Sequence, residues 1–185
     1  MAISSTEPST STLDSGAGLA RRLGLRFGAG VGLACVVWMV GLHLTGSNGF
    51  GPKQILAQLL VPLTAVASQW QLRRQLKPAK PGLGRSLGVG GLTVLTAAVI
   101  SAGGVLGLAR GAGEAALARN RAEVLEIVRA QQRENPKVGL NDQQRRQQLN
   151  NARNITVGNM AISNFTQVLL LGLVLALPAG IFLRE

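Results

Sequence analysis

The chain has 185 residues, a net charge of +11 and a hydrophobic fraction of 46%. Its one cysteine excludes an internal disulfide, and one cysteine with one histidine excludes the common zinc and thiol-protease sites. The basic residues flank long uncharged segments, which favours contact with anionic lipid headgroups over nucleic-acid binding.

Four segments without Asp, Glu, Lys or Arg determine the predicted fold. A helix of about 18 or more apolar residues can cross a hydrocarbon core of about 30 Å, and a helix satisfies its own backbone hydrogen bonds there. We therefore expect an all-α, integral membrane four-helix bundle, with no room for a separate soluble domain. The predicted spans are residues 27–45, 55–72, 87–109 and 160–183.

The N-terminal residues 1–20 are rich in Ser, Thr, Gly and Ala, a composition that predicts a disordered tail. Basic residues then stand directly before the first apolar segment, as in a secretory signal peptide. That segment is long for the apolar region of a signal peptide, and no small-residue cleavage site follows Leu44. We therefore interpret it as a retained first span of a membrane domain covering residues 21–185.

The second span and the connection after it carry boundary signals. Pro62 predicts a kink unless it lies in the first turn of the helix, and Trp70 is typical of a membrane–water boundary. The connection 73–86 has no acidic residue, and its prolines, Pro78 and Pro81, predict that it is not helical. The residues expected to set orientation and to contact headgroups are Arg21, Arg22, Arg26, Arg73, Arg74, Lys77, Lys80 and Arg85.

The hydrophilic segment 110–159 predicts an extramembrane amphipathic helix between spans three and four. Residues 114–134 lack Pro and Gly and carry a narrow apolar stripe among good helix formers. Pro136 is expected to end this helix, and a second short helix is expected to begin at Asn141 or Asp142. We expect the segment to extend a span beyond the membrane or to lie on its surface.

The distribution of basic residues predicts the orientation. It places both termini and the connection 73–86 in the cytoplasm. Segment 110–159 then faces outward with nine Lys/Arg, which conflicts with the simple rule. Its five interspersed acidic residues, and a length near that at which loops translocate regardless of charge, weaken this conflict.

Small residues recur every four positions in three spans, a spacing that lets helix backbones approach closely. Chance recurrence in a Gly- and Ala-rich chain is the alternative interpretation. The pattern does not separate packing within one chain from assembly of a homo-oligomer. The predicted helix-packing residues are Gly24, Gly28, Gly32, Gly103, Gly107, Gly172, Ala176 and Gly180.

Polar residues inside the predicted spans are few and almost all uncharged. His43 is the only ionisable one, and its place one turn from a loop favours an interfacial residue over a proton relay. Asn164 and Gln167 share a helix face, which suits hydrogen bonding to another span. No carboxylate lies within a span, which argues against a proton- or sodium-coupled transporter. The intramembrane polar candidates are His43, Gln58, Asn164 and Gln167.

The sequence contains no recognisable catalytic, cofactor or metal motif. We therefore expect a multi-pass membrane protein that is a non-enzymatic structural, accessory or assembly subunit and contacts other membrane protein subunits. The alternative is an oligomeric, holin-like pore or uncoupled permeation module, which the Gly-rich third span and the Gln, Asn and Thr residues favour. A membrane enzyme ranks third. No nucleic-acid partner is expected.

The hydrophilic segment 110–159 and the Asn-rich entry into the last span, from Asn150-Asn151 to Asn164, carry a family resemblance. Over about residues 21–184, the chain resembles an uncharacterised family of small bacterial four-span inner-membrane proteins. The resemblance implies a location in the bacterial cytoplasmic (inner) membrane. It brings no known activity, cofactor or site residue.

Overall fold

The computed structural model describes residues 10–78, 80–134 and 141–183, with side chains from residue 16 onward. The regular structure of these residues is entirely helical. The helices are α1 (Thr10–Leu44), α2 (Ile55–Gln58), α3 (Leu60–Leu76), α4 (Leu83–Glu134), α5 (Asp142–Arg153) and α6 (Val157–Phe182), with a 3₁₀ turn at Pro52–Gln54.

Four helical stretches are long and apolar enough to cross a membrane: Gly16–Leu44, Pro52–Leu76, Leu83–Glu134 and Val157–Phe182. The expectation of an all-helical membrane protein with four such helices is confirmed at this level. The stretches are longer than the uncharged segments because helical structure continues past the first charged residues.

The structure changes the predicted boundary of the third span at residue 110. α4 continues from Leu83 to Glu134, so the expected helix over residues 114–134 extends the spanning helix, one of the two arrangements expected, and is not a separate element in a loop. Charged residues end the apolar segment, but Ala, Arg, Glu and Leu all favour helix and do not end it. A kink occurs at Gly113, whose φ of 75° lies in the region that favours glycine. We call α4 beyond Gly113, together with α5, the arm.

The arm folds back through α5 toward the last span. Asn141 caps α5 by accepting hydrogen bonds from the backbone N–H groups of Gln143 and Gln144, at 2.7 and 3.1 Å. The Gln144 side chain accepts in return from the Asn141 N–H, which completes a capping box. The predicted helix end at Pro136 lies outside the described residues.

The N-terminal tail is shorter than the sequence predicts. α1 begins at Thr10, so residues 10–20 are helical, while residues 1–9 lie outside the described part of the chain. Ala20 and Leu23 are buried against Leu72 and Val89, with Leu19 packed beside them. This tertiary packing stabilises helix in a segment whose composition alone does not.

The connection predicted at 73–86 is also shorter. α3 continues to Leu76 and α4 starts at Leu83, because Pro78 and Pro81 prevent helix formation only in the few residues next to them. Pro62 lies in the first turn of α3, and its i−4 residue, Gln58, is the last residue of α2. A proline ring clashes with the carbonyl four residues earlier, which accounts for the break between α2 and α3.

α3 and α4 form the centre of the bundle, and α1 and α6 each pack on both of them. Gly24 faces Leu92 and Gly32 faces Ile100, so α1 and α4 run parallel. Gly172 faces Val94 and Gly180 faces Leu87, so α6 runs antiparallel to α4. The core at mid-bundle is apolar and fully buried; it includes Val61, Ala65, Val94, Ala97, Ala98 and Val168.

Glycines on α1 and α6 allow the close packing on α4. A Cβ on Gly28 would lie 2.6 Å from the backbone oxygen of Thr93, closer than atoms can approach. Ala176 on α6 is 2% exposed and lies on the same face as Gly172 and Gly180. These small residues therefore lie at helix–helix contacts within the chain.

The two glycines of the third span that were predicted to pack against another helix do not lie at a helix–helix contact. A Cβ on Gly103 or Gly107 would meet no atom within 4 Å, and both residues are exposed. Gly104 makes the close contact instead, against Val36 and Met39 of α1. The neighbouring glycine, displaced by one residue from the predicted pair, therefore serves the α1–α4 contact.

A matched pair of substitutions on α1 tests this packing. Gly28→Ala is expected to lower the free energy of unfolding by about 1–3 kcal/mol, because the new methyl group forces α1 away from α4. Gly30→Ala, which meets no atom within 4 Å, is expected to be neutral or to stabilise by up to about 1 kcal/mol. Unfolding in mixed detergent micelles, followed by circular dichroism, measures both. Equal losses in the two variants would contradict the close contact.

Candidate functional site

The predicted basic residues lie together at one end of the bundle. This end, which we call the basic end, is formed by the N-terminal part of α1, the C-terminal part of α3 and the start of α4, as the contact of Leu23 with Leu72 and Val89 shows. Arg73 and Arg85 are half-buried, and a Cβ on Gly16 would lie 3.0 Å from Arg85 Nη1. The other six are exposed: Arg21, Arg22, Arg26, Arg74, Lys77 and Lys80.

Trp70 lies beside these residues, where the sequence predicts a boundary. The Arg74 guanidinium lies over its indole ring, 5.5 Å from the ring centroid. A cation–π contact of this kind fixes the ring near the surface of the bundle.

The opposite end of the bundle carries a cleft lined by side-chain amides. It has a volume of about 710 Å³ and lies between α4, α6, the end of α5 and the loop before α2. Its apolar walls include Phe50, Val105 and Val124. Its polar lining consists of Gln54, Asn120, Asn151, Asn154, Asn159, Ser163, Asn164 and Gln167. We call it the amide cleft.

Asn164 is a buried polar residue of the amide cleft and is 6% exposed. Its Oδ1 accepts a hydrogen bond from Ser101 Oγ at 2.8 Å, and its Nδ2 donates to Gln54 Oε1 at 3.0 Å. Gln54 Nε2 donates in turn to the Gly49 carbonyl at 2.5 Å. This chain of hydrogen bonds joins α4 and α6 to the loop.

A second network fixes the outer wall of the amide cleft. Asn48 Nδ2 donates to Asn120 Oδ1 at 3.0 Å and to Glu123 Oε2 at 2.6 Å, while Asn48 Oδ1 accepts from the Phe50 N–H. Asn120 Nδ2 points to Met160 Sδ at 3.1 Å. The loop between α1 and α2 is therefore bonded to the base of the arm, and its geometry depends on where the arm begins.

Arg121 fixes the entry into α6. Its Nε donates to the Ile155 carbonyl at 2.9 Å, and its Nη1 forms an ion pair with Glu114 at 2.7 Å. The Glu114 side chain is 74% exposed, so the ion pair itself adds little stability. The bond to Ile155 matters more here, because Ile155 lines the amide cleft.

The other three intramembrane polar candidates, Gln167, His43 and Gln58, lie in different parts of the structure. Gln167 is exposed and lines the amide cleft beside Asn164. His43 is half-buried and lines a smaller cleft of about 270 Å³ with Asn48 and Arg119. Gln58 is 2% exposed, and its Oε1 has no hydrogen-bond partner within the described part of the chain.

Sequence reasoning missed several polar contacts that the fold creates. Gln69 is 1% exposed, and its Nε2 donates to the Ala176 carbonyl at 2.8 Å, which links α3 to α6. Gln54 and Asn120 lie outside the predicted spans, so no intramembrane signal marks them. Only the Asn-rich run before α6 indicates that amides gather at this end.

The lining of the amide cleft defines what the site can do chemically. Amide side chains both donate and accept hydrogen bonds, but they do not ionise near neutral pH and are poor nucleophiles. None of the lining residues is ionisable. The described residues also contain no group of three or more His, Cys, Asp or Glu placed to hold a metal ion. The arrangement is suited to binding.

The comparisons with known proteins place the chain in a family. Residues 26–185 match the family described as Protein of unknown function (DUF4199). The chain belongs to this family. Membership of the DUF4199 family confirms the resemblance to an uncharacterised family and brings no activity with it. Neither a search of curated proteins nor a search of solved structures returned a match.

A double-mutant cycle tests the inner hydrogen bond of the amide cleft. Ser101→Ala and Asn164→Ala each remove one partner of the 2.8 Å bond, and we expect a coupling free energy of about 0.5–2 kcal/mol between them. Ser101→Ala combined with Ser163→Ala is the control, because Ser163 lines the same cleft but is exposed and is not the partner of Ser101. Additive effects in the first cycle would contradict the bond.

Proposed function

We propose that this protein is a non-enzymatic accessory subunit of an assembly in a bacterial inner membrane, and that it recognises an uncharged polar part of a partner subunit in the amide cleft. The observation that carries the proposal is the cleft lined by amides and lacking any ionisable lining residue. Such a lining supports recognition by hydrogen bonds and offers no side chain that ionises near neutral pH to act as an acid or a base.

The position of the amide cleft supports recognition at the membrane surface. Its inner residue, Asn164, pairs with Ser101 inside the apolar part of α4, whereas Asn151 and Asn154 are exposed and lie before α6 begins. The cleft therefore extends from the aqueous boundary toward the bilayer. A partner segment that enters it exchanges water for amide groups without exposing unpaired polar groups to lipid.

The arm supports the proposal by extending the surface beside the cleft. Residues 114–134 of α4 are about 30 Å long at 1.5 Å per residue. In the proposed arrangement, residues such as Ile127, which is 39% exposed, lie beyond the membrane. The base of the arm is bonded to the loop through Asn120 and Glu123. Contacts made along the arm are therefore mechanically connected to the cleft.

The packed core in the middle of the bundle argues against a pore through a single chain. Val61, Ala65, Val94, Ala98 and Val168 are 0% exposed and fill the space between the four helices. A water path through a single chain would have to displace this core. A pore would therefore require several copies, with the path between them.

Site-specific photo-crosslinking in native membranes tests the proposed recognition. A benzophenone side chain at Ser163, which lines the cleft, is expected to give one discrete adduct with a partner protein. The adjacent residue, Ile162, is 67% exposed and does not line the cleft. It is the matched control and is expected to give lipid adducts only. The absence of a protein adduct at Ser163, or the same adduct at both positions, would contradict the proposal.

Thiol accessibility tests the proposed orientation, in which both termini face the cytoplasm. In a Cys35→Ala background, Ala118→Cys places a thiol on the arm and Gly84→Cys places one at the basic end; both positions are exposed. We expect an impermeant maleimide to label Ala118→Cys in intact spheroplasts and Gly84→Cys only after permeabilisation. The reverse pattern would show that the arm is cytoplasmic.

A further inference from the structure

An open groove runs between α1 and α3 on the part of the bundle nearest the basic end. Its volume is about 630 Å³. Arg26, Gln71 and Gln75 lie at its mouth, and Gly30, Ala34 and Leu60 lie deeper along it. Because it opens at the basic end and could hold the acyl chain of a lipid in that leaflet, we call it the leaflet groove.

The leaflet groove is longer than one lipid leaflet is thick. It follows α1 from Leu23 to Ala34 and α3 from Gln75 to Leu60, distances of about 17 and about 23 Å at 1.5 Å per residue. One leaflet is about 15 Å thick, half of a hydrocarbon core of about 30 Å. The groove therefore begins at the basic surface and is long enough for an acyl chain that reaches the middle of the bilayer.

The inner part of the leaflet groove offers no polar group to a ligand. Thr64 lies there, but its hydroxyl donates to the Leu60 carbonyl of its own helix at 2.8 Å. The absence of a side chain at Gly30 keeps this part wide, since a Cβ there would meet no atom within 4 Å. An aliphatic chain fits such a surface without leaving hydrogen bonds unmade.

The mouth of the leaflet groove is cationic. The Arg26 side chain is exposed, and Arg22 lies one helical turn before it. The sequence contains no Asp or Glu between residues 15 and 113, so no acidic residue of α3 or of the spanning part of α4 offsets this charge. Gln71 and Gln75 add hydrogen-bond donors at the same level. This combination matches a phosphate group at the depth of a lipid headgroup.

We infer that the leaflet groove is a binding site for one anionic phospholipid, with its phosphate at Arg26 and an acyl chain along α1 and α3.

Native mass spectrometry of the full chain with defined lipids tests this inference. The delipidated protein is mixed with equal amounts of phosphatidylglycerol and phosphatidylcholine that carry identical acyl chains. We expect the wild-type chain to retain one phosphatidylglycerol about fivefold more tightly than phosphatidylcholine. That preference corresponds to the effect of about one basic residue at a membrane surface.

Two variants separate the contribution of the Arg26 charge to lipid binding from that of the open space at Gly30. Arg26→Gln is expected to remove most of the preference for phosphatidylglycerol. Gly30→Leu fills the groove and is expected to weaken binding of both lipids about tenfold. Gly103→Leu is the matched control, because Gly103 is also exposed with no atom within 4 Å of a Cβ, and it is expected to bind like the wild type.

Several outcomes would overturn the inference. Equal retention of the two lipids by the wild type would show that the mouth does not select charge. Unchanged phosphatidylglycerol binding by Gly30→Leu would place the lipid elsewhere on the protein. A lipid-free dimer that Gly30→Leu converts to a monomer would identify the occupant as a second copy. Melting curves of all four proteins establish that each variant is folded.

Discussion

Close backbone contact with α4 is the constraint on which the rest of the structure depends. Apolar side chains gain little by leaving lipid for the bundle interior, so helix association in a membrane relies on close packing and hydrogen bonds. Gly28 and Gly32 bring α1 against α4 from one direction, and Gly172 brings α6 against it from another. These contacts determine the vertical register of the helices, and through it which polar residues meet at each end.

The polar bonds between helices follow from that register. Gln69 reaches the Ala176 carbonyl, and Ser101 reaches Asn164, only because α6 lies close to α3 and α4 at those levels. In a low-dielectric interior an unpaired amide is costly, so each bond opposes a shift of one helix past another. The amide cleft therefore has a defined shape although five of its eight polar lining residues are exposed. Close helix packing brings the polar residues of the amide cleft together, and their hydrogen bonds in turn oppose sliding of the helices past one another.

The sequence predicts the spans well because charge-free length is a strong physical signal. It predicts helix ends poorly, since Arg110 marks the end of the apolar segment while the α4 helix continues to Glu134. The recurrence of small residues every four positions cannot distinguish Gly103 from Gly104. Which of the two glycines faces α1 depends on how α4 is rotated about its own axis in the bundle. Asn164 is recognisable as an intramembrane amide, but its partners, Ser101 and Gln54, become neighbours only in the folded chain.

The chemical difference between the two ends explains how one small bundle can carry two kinds of recognition. The basic end has no acidic residue in the connection between α3 and α4, whereas Glu114 and Glu123 form an ion pair and a hydrogen bond at the base of the arm. An excess of positive charge favours lipid phosphate, and locally balanced charge leaves hydrogen bonding to amides as the main polar interaction. α4 runs from the basic end into the arm, and its two helical parts meet at the non-helical Gly113, so the backbone at this glycine sets the direction of the arm. Anchoring by lipid at the basic end would therefore hold the amide cleft at a constant depth relative to the opposite surface.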